Sequence, residues 1–261
     1  MATEEEVKDQ GGYWLGTDSQ GQNEQVLRCS ARRKSVVEIQ SQHGEALESM
    51  QKRFPNTPVH TLIRFLKARS FDVNKASAMY ESHEQWRKQT FPLPKSECQK
   101  TLATRKFYML EHLDDEGRPV IVYCLHRFME MPYKVEDEIK ALIFLLEDQV
   151  LPRFGPSMET QQFTVLIDVS GIRSPPISFL QNVNVVMEAN YPETLHRSIM
   201  FPVPYWLQKM IQGLTTFVAE DTRNKMAYVN DVKSLEEFAG MSVEKMGPDI
   251  SELVLKKQLK R

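Results

Sequence analysis

The sequence predicts an α/β protein in which a small bundle of helices precedes a domain with a mostly parallel sheet. Apolar residues recur at helical spacing from about residue 26 to residue 90, without the alternation typical of strands. After about residue 105, short β-rich runs alternate with helical segments, which is typical of parallel sheets. We therefore expect a helical domain at 26–90 and an α/β domain at 105–261.

Within the helical domain, Leu62, Ile63 and Leu66 fall on one side of a helix. Asp72 is a good N-cap residue for the helix that follows it. Residues 89–106 contain Pro92 and Pro94, so we expect a connector between the two domains there.

The α/β domain shows its clearest strand signal at residues 163–169, an almost continuous apolar run as in a strand buried on both faces. Residues 114–119 (DDEGRP) have strong turn chemistry and should join the first two strands tightly. Further strands are expected at 107–113, 119–125, 198–203 and 225–230, and helices at 135–151, at 177–189 and from residue 234.

Composition restricts the possible functions. The chain carries 33 basic and 35 acidic side chains, a formal net charge of −2, which excludes a chain-wide basic surface for nucleic acid. Residues 1–25 hold six acids, one lysine and few large apolar residues, so we expect an acidic disordered tail there. No apolar run approaches the roughly 18 residues of a membrane span. Three widely spaced cysteines suit a reducing cytoplasm.

Motifs for catalysis or metal binding are missing from the sequence. It has no phosphate loop, no dinucleotide-binding glycine motif, no nucleophile elbow and no histidines at metal-ligand spacing. We therefore expect no catalytic residue, no metal and no cofactor. Asp168 and Gly171 follow a strand as in nucleotide switch proteins, which leaves a nucleotide-dependent enzyme or switch as an alternative. The favoured interpretation is that the Asp168 carboxylate caps a turn.

An unusually apolar helix is predicted after Pro204, a residue that suits the first turn of a helix. Its apolar side chains occupy a broad arc, which contains Trp206, Leu207, Met210, Ile211, Leu214 and Phe217. Such a helix is either buried in the core or is a lid over an apolar pocket that touches a bilayer when it opens.

Six short motifs occur in a fixed order over about residues 50–245. They are IRFLKARSFDV (63–73), WRK (86–88), DEGRPV (115–120), LIDVSGI (166–172), YPE (191–193) and FPVP (201–204). Together they resemble the CRAL-TRIO lipid-transfer family, specifically its phosphatidylinositol-transfer type. The resemblance implies a helical bundle, an α/β domain whose sheet floors an apolar pocket for one lipid, and a mobile gate helix where the apolar helix is predicted.

The resemblance also implies which residues bind the lipid head group. Glu193 matches a glutamate that organises the inositol phosphate site, Thr222 and Lys225 match a threonine and a lysine that contact the phosphate, and Arg69 matches a basic residue of the helical domain. Lysine and arginine neutralise a phosphodiester, and threonine donates a hydrogen bond. The structural alternative is that Glu193 is a first-turn helix charge and Thr222 an N-cap.

Four positions depart from the family pattern. Ser70 and Thr194 stand where basic residues are common, which would weaken or alter head-group binding. Phe163 and Val165 stand where dual binders have polar residues that hold phosphatidylcholine. We therefore expect that any second ligand is more apolar, such as a sterol-like molecule.

These observations predict a non-enzymatic, cytoplasmic carrier that transfers or presents phosphatidylinositol, or a related lipid, between membranes. Its partners would be the lipid and a transient membrane surface, without nucleic acid. Basic segments at 28–34 and 256–261 would add weak attraction to anionic lipids, or they are solvated charged surfaces. The alternative ligand is a sterol-, tocopherol- or retinoid-like molecule.

Overall fold

The computed structural model describes residues 36–157, 161–203, 206–207 and 224–258. The predicted tail at 1–25 and the basic segment at 28–34 lie outside the described residues, as does the end of the second basic segment. In the described ranges, a run of helices precedes an α/β unit that is built on one five-stranded sheet. The predicted fold class is confirmed.

The N-terminal bundle consists of helices α1 (Val36–Arg53), α2 (Val59–Lys67) and α3 (Val73–Thr90). Leu62, Ile63 and Leu66 lie in its shared core, as their spacing predicts. Asp72 caps α3 as predicted, because its carboxylate accepts a hydrogen bond from the Lys75 backbone nitrogen at 3.0 Å.

The expected connector contains a helix, α4 (Lys95–Ala103), which the sequence analysis did not predict. Cys98 is the buried residue of this helix, and α4 packs against α6 (Val135–Leu145). The segment is mostly polar, so apolar periodicity carried no signal. Packing against a neighbouring helix stabilises a short helix that its own sequence does not announce.

The sheet has its strands in the spatial order of the chain. They are β1 (Phe107–Met109), β2 (Val120–Cys124), β3 (Phe163–Asp168), β4 (Leu195–Phe201) and β5 (Met226–Tyr228). The β1–β2 pair is antiparallel, and the other neighbouring pairs are parallel, which confirms a mostly parallel sheet. Each strand overlaps its predicted run, but β4 begins at Leu195 instead of at residue 198.

The turn before β2 forms as its sequence predicts. The Asp114 carboxylate accepts hydrogen bonds from the backbone nitrogens of Glu116 at 3.0 Å and Arg118 at 2.8 Å. Gly117 has a φ of 82°, a conformation that glycine adopts without steric cost. This arrangement reverses the chain between β1 and β2.

Helices cover both faces of the sheet. Besides α4 and α6, they are α5 (Arg127–Glu130), α7 (Ile177–Asn190), α8 (Val232–Ala239) and α9 (Pro248–Gln258). We call the face under α8 and α9 the closed face; its core includes Leu166, Ile199 and Leu235. We call the face towards α4, α6 and α7 the cavity face; its core includes Val165 and Phe179.

Candidate functional site

A cavity of about 670 Å³ lies between the cavity face, α7 and the end of α2. This volume is within the range of pockets that hold small-molecule ligands. Since side chains alternate along a strand, Phe163, Val165 and Ile167 of β3 all line the cavity and form an apolar floor. Leu180 and Val183 of α7 line it as well.

The cavity is charged at the end where β3 begins. Lys225 Nζ lies 3.9 Å from Glu193 Oε2, with both side chains partly buried, and Arg69 also lines the cavity. The Gln162 side-chain amide donates to the Glu193 carbonyl at 2.9 Å, which holds Glu193 beside the start of β3. Three of the four predicted head-group residues therefore share one cavity, and Thr222 lies outside the described residues.

Two irregular turns bring Arg69 and Glu193 to the cavity. Arg69 lies in the link between α2 and α3, where Ser70 and Phe71 have positive φ values of 50° and 63°. Glu193 lies between α7 and β4 and has a φ of 59°. It is not in the first turn of a helix, so that structural alternative for Glu193 is wrong. Left-handed backbone at a non-glycine residue is strained and concentrates at functional sites.

All four positions that depart from the family pattern line the cavity. Phe163 and Val165 present apolar side chains to it, and Ser70 lies beside Arg69. Thr194 is buried, and its hydroxyl donates to the Tyr191 carbonyl at 2.6 Å, so this hydroxyl is used within the turn. The departures therefore alter the walls of the cavity itself.

The two described residues of the predicted gate helix differ in solvent exposure. Trp206 is 46% exposed, whereas Leu207 is 2% exposed and belongs to the core of the cavity face. The remaining gate residues, Met210, Ile211, Leu214 and Phe217, lie outside the described residues. Gating by this helix stays a prediction.

Sequence reasoning missed two hydroxyl groups on the cavity face. Tyr123 of β2 and Ser198 of β4 both line the cavity. Ser198 lies near the charged end, since its backbone nitrogen donates to the Lys225 carbonyl at 2.8 Å. Both residues lie in strands without a clear alternation of polar and apolar positions, so the face to which each side chain points was not predictable from the sequence.

The helical bundle docks beside the cavity through polar contacts. Arg87 of α3 pairs with Glu147 at 2.6 Å, and the Tyr191 hydroxyl donates to the same carboxylate at 2.9 Å. Burial, followed by the nearby Glu147 charge, raises the pKa of Tyr191. His83 Nδ1 lies 3.3 Å from the side-chain oxygen of Asn190, at the end of α7. The bundle thus supports one wall of the cavity.

Asp168, the acid of the candidate nucleotide motif, holds a turn. Its carboxylate accepts a hydrogen bond from the Ser170 backbone nitrogen at 2.8 Å and lies 3.5 Å from His126 Nδ1. Burial raises the pKa of this carboxylate. The contacts agree with the favoured interpretation of Asp168 as a capping residue.

The described ranges contain neither a cluster of metal ligands nor a membrane-spanning helix. No three His, Cys, Asp or Glu side chains there come together as candidate metal ligands. Over the same ranges, none of the helices combines the length and the apolar character that a bilayer crossing requires.

Comparison with solved structures identifies the same architecture. The structure titled "Crystal structure of Sfh5" aligns with a TM-score of 0.63 at 16% identity, covering 84% of this chain and 97% of that one. At this identity the likeness concerns the fold. This single alignment includes both the helical bundle and the α/β unit.

Curated relatives are similar over most of this chain. "Protein real-time" of Anopheles gambiae is 27% identical over 208 residues, 70% of this chain and 30% of that protein. "SEC14 cytosolic factor" of Eremothecium gossypii is 26% identical over 213 residues, 72% of this chain and 69% of that protein. "Patellin-4" of Arabidopsis thaliana is 26% identical over 190 residues, 67% of this chain and 34% of that protein. The chain thus spans about a third of the length of several relatives.

Family models match both parts of the chain. Residues 34–82 match the model "CRAL/TRIO, N-terminal domain". Residues 102–245, more than half of the chain, match the model "CRAL/TRIO domain". The chain therefore belongs to the CRAL/TRIO family of lipid-binding proteins.

Proposed function

We propose that the protein carries phosphatidylinositol, or a related inositol phospholipid, between membranes or presents it at one of them. One observation supports this most directly. A single cavity joins an apolar floor to Arg69, Glu193 and Lys225 at one end. Such a cavity suits a ligand with apolar chains and an anionic head group.

The floor and the charged end would contribute different parts of the binding free energy. Each methylene that leaves water for an apolar cavity contributes about 0.8 kcal/mol. Lys225 and Arg69 would neutralise the phosphodiester through charge-assisted hydrogen bonds. Glu193 lies close enough to Lys225 to orient its ammonium group. In this proposal the lipid is the ligand, and neither a catalytic residue nor a cofactor takes part.

The proposed carrier works in the cytoplasm and touches membranes transiently. Trp206 is exposed beside a buried Leu207, and indole rings are favoured at the membrane–water interface. The free thiols of Cys98 and Cys124 are buried, which suits a reducing compartment. These features support peripheral contact through the start of the predicted gate helix.

Transfer of phosphatidylinositol between vesicles by the purified protein tests the head-group assignment. We expect Lys225→Ala to lower the affinity for phosphatidylinositol about tenfold or more, because a hydrogen bond to a charged group contributes roughly 1.5–3 kcal/mol. Thr222→Ala should lower it by a smaller factor. Lys100→Ala, which removes an exposed lysine of α4 away from the cavity, is the matched control. Phosphatidylinositol transfer that is unchanged in both cavity variants would overturn the assignment.

Membrane contact has a separate test. We expect Trp206→Asp to reduce the rate of vesicle transfer, because a carboxylate is costly to bring into a bilayer interface. Val37→Asp makes the same kind of change at the exposed start of α1 and should leave the rate unchanged. If Trp206→Asp transfers lipid as fast as the unmodified protein, this part of the surface does not contact the membrane.

A sterol-, tocopherol- or retinoid-like ligand is the second candidate. Phe163 and Val165 line the cavity, and their side chains form no hydrogen bond with a phosphate. An apolar ligand with one small polar group would suit this floor better than a second phospholipid. Extraction of bound lipid from the purified protein and its identification by mass spectrometry distinguishes the two candidates.

A further inference from the structure

A second concave surface, separate from the lipid cavity, lies between α3 and the end of α7. It is a groove of about 570 Å³ that is open to solvent, and we call it the α3–α7 groove. Its α3 side is one helical stripe, because the lining residues at 75, 78, 79, 82, 83 and 86 recur at spacings of three and four. The turn after α2 and the end of α7 complete it with Arg69, Ala189 and Asn190.

The floor of the groove is apolar and aromatic. Met79 is 9% exposed, and the Trp86 ring packs on the His83 ring at a centroid distance of 5.7 Å. The side chains of Ala78 and Ser82 are exposed and small, so they leave the floor accessible from outside. Such a surface suits bulky apolar side chains of a peptide.

The groove is basic at one end. Arg69 and Lys75 line it where α3 begins, and its described lining residues include no carboxylate. Lys75 Nζ lies 3.3 Å from Asp72 Oδ2, but both side chains are exposed, and exposed ion pairs of this kind contribute little. Trp86 lies eleven residues after Lys75, about 16 Å along the helix. The groove therefore has a basic end and an aromatic end.

Residues 1–25, which lie outside the described residues, contain a segment of complementary chemistry. Three large apolar residues are consecutive there, Tyr13, Trp14 and Leu15. The rest of 1–25 is mostly polar and holds six acids and one lysine. Asp18 follows Leu15 by three residues, about 10 Å in an extended chain. An apolar tripeptide followed by an acid thus has the same order and scale as the aromatic and basic ends of the groove.

The described part of the chain begins close to the basic end. Two turns after Val36, the first residue of α1, the His43 ring stacks on Phe71 at a centroid distance of 3.6 Å. Phe71 lies in the same turn as Arg69, so Val36 is about 10 Å from the place where α1 meets this turn. The chain between Asp18 and Val36 would span about 20–25 Å if flexible, which is long enough to place Asp18 at the basic end.

We propose that residues 13–15 dock in the α3–α7 groove of the same chain, with Asp18 at its basic end. The three apolar side chains would cover Met79 and Trp86. Because the segment is tethered, its docking is intramolecular, with an effective concentration in the millimolar range. Contacts that are too weak to hold a free peptide are therefore sufficient.

Photo-crosslinking in the full-length protein tests the docking. The probe is p-benzoylphenylalanine in place of Trp14, since its ketone reacts preferentially with methionine and Met79 lies in the groove floor. We expect the crosslink to join position 14 to Met79 or to its neighbours in the groove of the same chain, as identified by mass spectrometry of the digested monomer. The same probe in place of Gln22, seven residues beyond the tripeptide, should give little of this product.

Charge reversal provides a second measurement. Lys75→Glu should lower the yield of the crosslink to Met79 about threefold, because a weak attraction to Asp18 becomes a weak repulsion. Adding Asp18→Lys to this protein should recover part of the yield, since the two charges are exchanged. Lys88→Glu, at an exposed position of α3 outside the groove, should leave the yield unchanged. Thermal unfolding of each variant shows whether it is folded.

Crosslinks that miss the groove would overturn the proposal. Products with residues 26–35 would mean that the acidic segment pairs with the basic residues that follow it. Products between two chains, with a yield that rises with protein concentration, would make the occupant a second copy. A yield at Met79 that Lys75→Glu does not change would contradict the position of Asp18.

Docking also has a consequence that rests on the proposed function. Arg69 lines both the groove and the lipid cavity, so Asp18 and a lipid phosphate would compete for it. Trp14→Ala in the full-length protein should raise the affinity for phosphatidylinositol about twofold, as for a competing segment that is bound half of the time. Crosslinking needs no lipid, so it tests the docking even if Lys225→Ala and Thr222→Ala leave transfer unchanged. Groove crosslinks together with unchanged affinity in Trp14→Ala would reject the competition and retain the docking.

Discussion

The two faces of the sheet use the same strands for different purposes. On the closed face, Leu166 and Ile199 are 1% and 0% exposed and pack under α8 and α9. On the cavity face, Val165 and Ile167 are each 8% exposed and line a space of about 670 Å³. Neighbouring residues of one strand thus have a filled core on one side and a cavity on the other.

Because of this difference, the two faces should contribute differently to stability and to ligand binding. Side chains in a filled core are surrounded by other atoms, so their removal leaves a void that the structure cannot fill. Side chains on the floor of a cavity already lack neighbours on one side. We infer that the closed face contributes most of the stability of the sheet, and that the cavity face keeps space for a ligand at some cost in packing.

A matched pair of substitutions tests this comparison and should give the largest effect. Ile199→Ala on the closed face should lower the free energy of unfolding by about 2–5 kcal/mol, the usual cost of a large cavity in a core. Ile167→Ala removes the same atoms from the cavity face of the neighbouring strand and should cost less, about 1–2 kcal/mol, because little new void is enclosed. Chemical denaturation of both variants without lipid measures the difference.

For ligand binding, the two substitutions should rank in the opposite order. Ile167→Ala should weaken ligand affinity, since it removes part of the floor, whereas Ile199→Ala should leave the affinity of the folded protein unchanged. Equal losses of stability in the two variants would contradict the distinction between a closed face and a cavity face.

The sequence predicts the two faces only in part. The run at β3 is apolar throughout, so its burial on both faces was predictable, and so was a parallel sheet. The same uniformity conceals which side chains line the cavity, because it removes the alternation that would assign Val165 and Leu166 to different faces. The place of Tyr123 on the cavity face depends on the same kind of assignment and therefore required the structure.

Local backbone conformation explains why two other features were not predictable from the sequence. The positive φ of Glu193 and the early start of β4 at Leu195 arise where the chain leaves α7, and neither has a glycine to mark it. The motifs nevertheless predicted that Arg69, Glu193 and Lys225 share a site, and they do line one cavity. The order of the motifs along the chain thus indicated a shared site, although their spacing could not predict how the three side chains are arranged in it.

Acid should affect the two sides of the molecule differently. His83 packs between α3 and the end of α7, next to Arg87, Glu84 and Glu147, and burial lowers its pKa below the usual 6.5. On the closed-face side, Asp249 is partly desolvated, which opposes the change, but hydrogen bonds and nearby arginines lower its pKa below the usual 3.8. His83 and Asp249 therefore change their protonation in separate pH ranges.

The sign of each effect follows from proton linkage. Below pH 6.5 the unfolded chain protonates the histidine more readily than the folded protein does, so the stability that neutral His83 supports falls as the pH falls. The contribution of Asp249 is complete above pH 3.8 and is lost only below that value, as the pH falls through its folded pKa. Of these two contacts, the one at His83 should weaken between pH 7.5 and pH 5, and the one at Asp249 should not.

Denaturation at pH 7.5 and pH 5 measures this smallest effect. We expect His83→Gln, which can keep a hydrogen bond to Asn190, to reduce the acid-induced loss of stability, since the glutamine side chain takes up no proton in this pH range. Asp249→Asn should lower stability at both pH values and leave the difference between them unchanged. If Asp249→Asn abolished the acid-induced loss and His83→Gln did not, the acid-sensitive contact would lie on the closed face instead of beside the cavity.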